Sequence, residues 1–314
     1  MAIYINEEEV KNLVSMVDAI EVVENGLISQ KYSNAVNEPR HRLRTSRDGI
    51  HLLIAGDDDQ NTIGFKSAYY SGGLVHVVIY DTESKQMSAI IEAGLLGALR
   101  TGAASAVASK YMANPKSSTM AVFGAGFQAY TQVQAICEQF DIEKVLVKSR
   151  DPGRREDFIT KVSKIFPDIS IENGASLEEV SGCDIVTTAT RSEVPVLRGE
   201  LLESGVHVNA IGSNSILKSE IDLEVVSRSD IIVVDDRAQA RRECGDLLAA
   251  WENGLIDPNT MIQLCDIVDE PNVRDGKTIN TLFESQGIGL WDISLAKLVM
   301  ERALIEGKGT DLPF

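Results

Sequence analysis

The amino-acid sequence predicts an α/β protein of two domains, one of which contains a parallel β-sheet covered by helices on both faces. From residue 118 onward, short apolar strands alternate with helical segments, which is typical of parallel sheets. Before that point, several β-segments follow one another after an N-terminal helix, which indicates an α+β region. We expect the parallel-sheet domain at 115–290, and the α+β domain at 1–114 completed by the last helix, within 291–314.

Hydrophobic periodicity and breaker residues predict the elements of the first domain. Apolar residues recur at helical spacing in 7–31, and an Ala- and Leu-rich helix at 92–112 ends at Asn114-Pro115, because the residue before a proline disfavours the α conformation. Between these helices, strands are predicted at 51–54, 62–67 and 75–80. In the second domain, strands are expected at 119–123, 144–148, 169–171, 184–188, 207–211 and 231–234, with helices at 128–139, 153–165, 176–180 and, near the C-terminus, 292–305.

Composition excludes several classes of function. The 314 residues carry a formal net charge of −17, which repels phosphate backbones and argues against nucleic-acid binding. The first residues lack the basic and apolar regions of a secretory signal, so we expect none, and no apolar run reaches the roughly 18 residues that span a bilayer. The four cysteines are widely separated, so we expect neither a metal site nor a disulfide framework. These features favour a cytoplasmic protein with free thiols.

A glycine-rich turn follows the first strand of the second domain. The residues Gly124-Ala125-Gly126-Phe127-Gln128-Ala129 match the G-x-G-x-x-A pattern of Rossmann dinucleotide-binding domains. In that pattern the first glycine allows the tight turn, and the second lets a pyrophosphate approach the backbone. The small sixth residue brings the helix close to the strand. The helix N-terminus then offers free N–H groups to the phosphates, so a nicotinamide dinucleotide is the expected cofactor.

The end of the next strand bears on which dinucleotide binds. NAD-binding domains usually place an acidic residue there to hold the ribose 2′-hydroxyl. Here Ser149 and Arg150 follow the strand, with Arg154 and Arg155 one turn further on, and these side chains suit a 2′-phosphate. We therefore expect NADP(H), whereas Asp151 keeps NAD(H) open. Arg154 is equally explained as part of a solvated helix start.

Four motifs together resemble the ornithine cyclodeaminase/mu-crystallin family over nearly the whole chain. They are 99–105 (LRTGAAS), the glycine turn at 124–129, 207–213 (HVNAIGS) and 243–246 (ECGD). The resemblance implies a homodimer in which the N-terminal region and last helix form a substrate-binding and dimerisation domain. Activities of the family include ornithine and lysine cyclodeamination, alanine dehydrogenation, opine-type condensation and reduction of cyclic ketimines. All exchange a hydride between nicotinamide and the α-carbon of an amino acid or imine.

Basic residues of the first domain match the family's substrate pocket. Arg40 resembles the arginine that binds the substrate carboxylate, a task suited to the two parallel hydrogen bonds of a guanidinium. Arg42 is the reserve candidate, because alternate residues of a strand share a face. Lys66 resembles the pocket lysine, which holds the carboxylate or exchanges a proton with the imine nitrogen, and Arg100 resembles a second carboxylate-binding arginine. The alternative for each residue is a surface salt bridge.

Two further positions concern proton transfer. Asn214 stands where the cyclodeaminases carry an aspartate, and an amide cannot exchange a proton near neutral pH, although it can hydrogen-bond a substrate nitrogen. His76 lies on a strand that, by the resemblance, faces the nicotinamide, and it could supply a proton, although a lone histidine is more often structural. The remaining cofactor-lining candidates matched by the resemblance are Thr188, Thr190, Ser213 and Ser285, with Gly287 beside them. Gly245 and Asp246 are expected only to shape a turn.

These observations favour an NAD(P)H-dependent reductase of a cyclic imino acid. Δ1-pyrroline-2-carboxylate or Δ1-piperideine-2-carboxylate would yield proline or pipecolate, and either reaction needs only a protonated C=N, a hydride and a clamp on the carboxylate. Ornithine cyclodeaminase and alanine dehydrogenase are the alternative enzymes. A non-catalytic dinucleotide-binding protein similar to mu-crystallin is the remaining alternative.

Overall fold

The computed structural model describes residues 2–274 and 278–313, which form two compact units. Unit 1 comprises the chain up to Ala104 together with the chain from Gly287 onward, and unit 2 comprises Ser105–Gln286. The sequence placed these divisions after residue 114 and before residue 291. The four cysteines, all in unit 2, are free thiols.

The N-terminal part of unit 1 is a helical pair followed by strands. Its elements are β1 Ile3–Ile5, α1 Glu7–Leu13, α2 Met16–Lys31, β2 Ala35–Arg44, β3 Gly49–Asp57, β4 Thr62–Tyr69, β5 His76–Asp81, β6 Gln86–Glu92 and α3 Gly94–Met112, of which the last continues into unit 2. The single helix predicted at 7–31 is in fact two. Ser15 begins the second, because its side chain accepts a hydrogen bond from the Asp18 N–H while the Asp18 carboxylate accepts from the Ser15 N–H.

Unit 2 alternates strands and helices around a parallel sheet. Its elements are β7 Thr119–Phe123, α4 Phe127–Gln139, β8 Lys144–Lys148, α5 Pro152–Ile165, β9 Ser170–Asn173, α6 Leu177–Ser181, β10 Ile185–Thr188, a 3₁₀ turn Gly199–Leu201, β11 His207–Ala210, α7 Leu223–Ser227, β12 Ile231–Val234, α8 Arg237–Glu243, α9 Leu248–Glu252, β13 Ile262–Gln263, α10 Leu264–Ile267 and β14 Thr281–Glu284. The strand order is β13-β12-β14-β11-β10-β7-β8-β9, and each pair is parallel. The predicted α/β class is confirmed, although β14, which lies between β11 and β12, was not predicted.

The C-terminal residues complete unit 1. Helix α11, Gly289–Glu306, packs against β3, β4 and β5, and β15, Thr310–Asp311, pairs with β1 at the edge of the seven-stranded sheet. That sheet has the order β15-β1-β6-β5-β4-β3-β2. The first turn of α11 is fully buried and includes Trp291 and Asp292. A charged residue in this position needs a partner, which the sheet supplies.

None of the helices in 2–274 and 278–313 combines the length and the hydropathy that a bilayer span requires.

Candidate active site

A buried group of two cations and one carboxylate lies between the sheet and the last helix of unit 1. The Lys66 ammonium lies 2.9 Å from Oδ1 and 2.7 Å from Oδ2 of Asp292, and Nε of Arg100 donates to Oδ1 at 3.0 Å. Lys66 and Arg100 are each 6% exposed and Asp292 is 0% exposed. Two cations against one carboxylate leave a net positive charge away from water, which favours an incoming anion.

Secondary structure explains why these three residues meet. Lys66 belongs to the face of β4 that packs against α11, because residues 62, 64, 66 and 68 are buried while those between them are more exposed. Asp292 lies in the first turn of α11, where the helix dipole stabilises a carboxylate. Arg100 comes from α3. Asp292 was not among the residues singled out from the sequence.

The environment of Lys66 tunes its acidity. Burial is the main cause that lowers the pKa of Lys66 to about 7, and the charge of Arg100 lowers it further, while Asp292 opposes both. A lysine with its pKa lowered to about 7 titrates close to neutral pH. It can therefore give up a proton at Nζ and regain it, which an ordinary lysine cannot do.

Arg40 and Gly287 complete this end of unit 1. Arg40 lies at a bulge in β2, is 7% exposed, and donates from Nη2 to the Gly287 carbonyl at 3.3 Å. Gly287 has φ +78°, and a Cβ there would lie 2.4 Å from Nη1 of Arg100. Within the described residues that Nη1 is buried without a hydrogen-bond partner. An unsatisfied buried donor is costly, so the atom is suited to a ligand oxygen.

Two histidines of the sheet, His76 and His51, lie on opposite faces of it. His76 pairs with Ser67 on β4 and Glu92 on β6, so its side chain lies on the sheet face opposite Lys66. The structure therefore does not bring His76 to the buried cluster. His51 lies on β3 on the same face as the cluster, because it pairs with Ala68 on β4, and no sequence pattern had singled it out. Burial first, and then the charge of Arg40, lower its pKa to about 4.

The glycine turn of unit 2 has the geometry of a phosphate cradle. Gly124 has φ +122°, and a Cβ there would lie 2.5 Å from the Ala189 carbonyl oxygen, so only glycine fits. A Cβ at Gly126, by contrast, would meet no heavy atom of the described chain within 4 Å. Helix α4 begins directly after Gly126, and none of the described side chains caps its first N–H groups. Open space in front of uncapped N–H groups fits a dinucleotide pyrophosphate.

The end of β8 uses its acidic residue for structure. Asp151 caps α5 by accepting from the Arg154 N–H at 3.1 Å, and its other oxygen lies 3.5 Å from Nε of Arg154. Arg155 donates to the Ser149 carbonyl at 3.2 Å. Arg150 is exposed at the end of the strand. The carboxylate is thus engaged within its own helix, while Ser149 and Arg150 border the edge of the sheet where the ribose of a dinucleotide is held in this fold.

Buried carboxylates organise the loops after β10 and β11, the first of which lies against the glycine turn at Gly124. Glu220 accepts from the Thr190 N–H at 2.6 Å and from the Gly212 N–H at 2.6 Å, which ties together the loops after β10 and β11. Burial is the main cause that raises its pKa to about 7. Asp246 accepts from the Glu220 and Ile221 N–H groups and so supports the same loop. Sequence reasoning missed Glu220, because nothing in the local pattern distinguishes it from a surface glutamate.

The remaining cofactor candidates occupy these loops in different ways. Thr188 is fully buried at the end of β10, and the Ser213 hydroxyl donates to the Lys218 carbonyl at 3.2 Å. Ser285 donates to Asp235 at 3.0 Å, so its hydroxyl is engaged within unit 2. Asn214 is exposed on the loop after β11.

Comparison with known proteins places this arrangement in a family. Residues 3–307 match the ornithine cyclodeaminase/mu-crystallin family. The chain is 32% identical over 240 residues to the Δ1-pyrroline-2-carboxylate reductase of Bacillus cereus, which covers 76% of this chain and 74% of that protein.

Two solved structures are similar over the full length. The Δ1-pyrroline-2-carboxylate reductase of Thermococcus litoralis, in complex with NADH and L-proline, superposes with a TM-score of 0.92 at 29% identity, covering 99% of this chain and 100% of that one. An archaeal alanine dehydrogenase dimer with bound NAD superposes with a TM-score of 0.90 at 28% identity, covering 100% and 99%. The chain therefore belongs to the ornithine cyclodeaminase/mu-crystallin family.

Proposed function

We propose that the protein is an NAD(P)H-dependent reductase of a cyclic 2-imino acid, with Δ1-pyrroline-2-carboxylate as the test substrate and proline as its product. The observation that carries this proposal is the buried Lys66, with its pKa near 7, beside Arg100 and close to Arg40. Such a group provides a clamp for one carboxylate and one exchangeable proton, and imine reduction requires both. The similarity to the two pyrroline-2-carboxylate reductases supports the same reaction.

The chain's own residues have separate roles in this reaction. The cradle at Gly124–Ala129 in unit 2 holds the dinucleotide, which when bound supplies the hydride. In unit 1, Arg40 and Arg100 hold the substrate carboxylate, and Nη1 of Arg100 is the donor still to be satisfied. Lys66 holds a proton at Nζ for the imine nitrogen. Once that nitrogen is protonated and the α-carbon gains a hydride, the π electrons of the C=N bond become the lone pair of the amine nitrogen. Asp292 keeps the ammonium in place.

The test is an assay of purified protein with Δ1-pyrroline-2-carboxylate and NADPH or NADH. We expect consumption of reduced cofactor matched mole for mole by proline. Lys66→Met should lower kcat by about 100-fold or more, the range of general acid catalysis. Lys11→Met is the matched control, because Lys11 is exposed on α1. Unchanged turnover in a folded Lys66→Met protein would overturn the assignment of the site.

The alternatives have distinct outcomes in the same assay. An alanine dehydrogenase would consume reduced cofactor with pyruvate plus ammonia, and the similarity to the archaeal enzyme keeps this reaction in the panel. An ornithine cyclodeaminase would release ammonia from ornithine without net consumption of cofactor. Asn214 argues against that reaction, since an amide cannot serve as its acid or base. A protein that binds dinucleotide and turns over none of these compounds would be a binding protein.

We further propose that NADP(H) is preferred over NAD(H). Ser149 and the exposed Arg150 favour a 2′-phosphate, and the engagement of Asp151 as a helix cap leaves it poorly placed to accept from a ribose hydroxyl. The structural relatives bind NADH or NAD, so NAD(H) stays the alternative. The ratio of kcat/KM for NADPH and NADH decides between them.

We also propose a homodimer formed through the seven-stranded sheet of unit 1. The sheet face away from α11 exposes apolar side chains in two rows, which are Val36 and Ile63 in one, Leu43 and Tyr69 in the other. Each of these four side chains is 48–66% exposed in the single chain. Several exposed apolar side chains on one sheet face favour an interface there. The dimeric state of the archaeal alanine dehydrogenase supports the proposal.

A further inference from the structure

The site face of the sheet in unit 1 continues beyond the buried cluster as a row of cations. Arg42 pairs directly with His51 on β3, and His51 pairs with Ala68 on β4, so the three side chains share one face. Ala68 is two residues from Lys66, on the same face of the same strand. Arg42 therefore lies on the face that carries the substrate site, one repeat further along.

Two further arginines, Arg42 and Arg44, lie at the exposed end of this row. Arg40 is buried, whereas Arg42 and Arg44 are exposed. Both exposed guanidinium groups lie by Tyr70, since Arg44 is 4.3 Å and Arg42 6.0 Å from its ring centroid, and Arg42 donates to the phenol oxygen at 3.4 Å. Burial alone would raise the pKa of Tyr70, yet hydrogen bonds from Arg44 and Arg42 lower it overall. Two guanidinium groups thus flank one phenol on this face, in a chain whose net charge is −17.

His51 contributes a ring nitrogen beside Tyr70 on this face of the sheet. Its ring stacks edge-on against Tyr70 at 5.4 Å between centroids. Nδ1 of His51 is buried and has no hydrogen-bond partner in the part of the chain that the structure describes. Its pKa of about 4, the result of burial and of Arg40 and Arg42, keeps the ring neutral at physiological pH. A buried ring nitrogen without a partner is costly unless a ligand satisfies it.

We propose that Arg42, assisted by Arg44 and His51, binds a second acidic group of the substrate, so that the preferred imino acid carries a carboxylate at its far end as well as at C1. This inference rests on the proposed function, since it assumes that the first carboxylate lies between Arg40 and Arg100. Alternate residues of a strand are about 7 Å apart, and a chain of four carbon–carbon bonds between two carboxylates covers a comparable distance. A guanidinium is suited to the second group for the same reason as to the first, its two parallel hydrogen bonds.

The experiment compares two 2-oxo acids of equal length as ligands of the full-length protein saturated with NADP⁺. The pair is 2-oxoglutarate, which carries the distal carboxylate, and 2-oxopentanoate, which ends in a methyl group. Binding is measured by titration calorimetry, which needs no turnover. We expect the dicarboxylate to bind at least about 10-fold more tightly, in the range of one charged hydrogen-bonded pair.

Three variants make the result specific to Arg42. Arg42→Gln should reduce the ratio of the two affinities to near one, and Arg42→Lys should give an intermediate ratio, because it keeps the charge and loses the paired hydrogen bonds. Arg47→Gln, an exposed residue in the turn between β2 and β3, is the matched control and should keep the wild-type ratio. Equal binding of the two acids by the wild type, or a ratio that Arg42→Gln leaves intact, would overturn the inference.

Failure of this inference is separable from failure of the proposed function. If Δ1-pyrroline-2-carboxylate is reduced and the two oxo acids bind alike, the reductase stands and only the second subsite is wrong. If the dicarboxylate binds more tightly while no imine is reduced, the Arg42 subsite is supported, and the protein catalyses a reaction other than imine reduction.

Discussion

At the scale of single residues, one carboxylate controls the proposed chemistry. Asp292 contacts both Lys66 and Arg100, and without it two buried cations would repel each other. Its charge raises the pKa of Lys66 against the effects of burial and Arg100. Asp292 is therefore a positioning residue, which acts on the substrate through Lys66.

The sign of this effect gives a pH prediction. As pH rises through 7, Lys66 loses the proton that reduction requires, so kcat/KM should fall on the alkaline side. Asp292→Asn removes the anion that raises the Lys66 pKa, and the falling limb should move to lower pH by about one unit or more. Asp141→Asn, an exposed residue of unit 2, is the control. An alkaline limb that stays in place in Asp292→Asn would show that Lys66 is not the titrating group.

A second prediction concerns the backbone that supports Arg100. Gly287→Ala places a Cβ 2.4 Å from Nη1 of Arg100, so the guanidinium must shift and the KM of the carboxylate substrate should rise about 10-fold. Gly72→Ala is the matched control, because Gly72 has φ +91° and its Cβ would meet nothing within 4 Å in the described structure. Both variants should lose about 1 kcal/mol of stability from backbone strain, and Gly287→Ala should also alter KM. Equal KM values in the two variants would count against a role of Arg100 in binding.

At the scale of elements, the two glycines in the turn between β7 and α4 have different roles, one in folding and one in cofactor binding. The first glycine serves the fold, since its φ and the nearby Ala189 carbonyl exclude a side chain. The second borders open space and has φ −101°, which any residue adopts. Two substitutions two residues apart should thus have different consequences.

Gly126→Ala should leave the melting temperature unchanged or slightly higher, because it restricts the unfolded chain. It should weaken dinucleotide binding by about 10-fold or more, since its methyl group occupies the approach of the pyrophosphate. Gly124→Ala should instead destabilise unit 2 by about 1–3 kcal/mol. Calorimetric titration with NADPH and thermal unfolding followed by circular dichroism measure the two effects. Tight binding by Gly126→Ala would place the cofactor elsewhere.

At the scale of the whole molecule, the exposed sheet face in unit 1 predicts self-association. In the described part of the chain, α11 packs against β3, β4 and β5, while the opposite face exposes Val36, Leu43, Ile63 and Tyr69, and a partner there would remove apolar surface from water. The chain's net charge of −17 opposes this association, which makes it dependent on salt.

Ile63→Lys tests the interface, because it places a charge in the apolar face that we expect to be buried between two copies. Sedimentation should show a dimer for the wild type and a monomer for the variant, with unit 1 still folded. Leu217→Lys, at a residue 84% exposed in unit 2, should stay dimeric. A wild-type monomer at micromolar concentration, or an intact Ile63→Lys dimer, would refute this interface.

Much of the fold could be predicted because its signals are local. The alternation of strands and helices and the glycine turn depend on neighbours along the chain. The break at Ser15 was equally local, yet the apolar periodicity on both sides concealed it. The strand β14 has only two apolar residues, flanked by Thr281 and Glu284, so its local pattern did not distinguish it from a loop.

By itself, the sequence determined the class of the fold, the family and the row of basic residues on β2, because periodicity and motif spacing record which residues share a face or a turn. Only the tertiary structure decided which groups meet. It placed Asp292 between Lys66 and Arg100, although 226 residues separate Lys66 from Asp292. It turned His76 away from that cluster and brought His51 to its face. The physical reason is that charge pairing and desolvation depend on distances in space, which the order of residues along the chain does not specify.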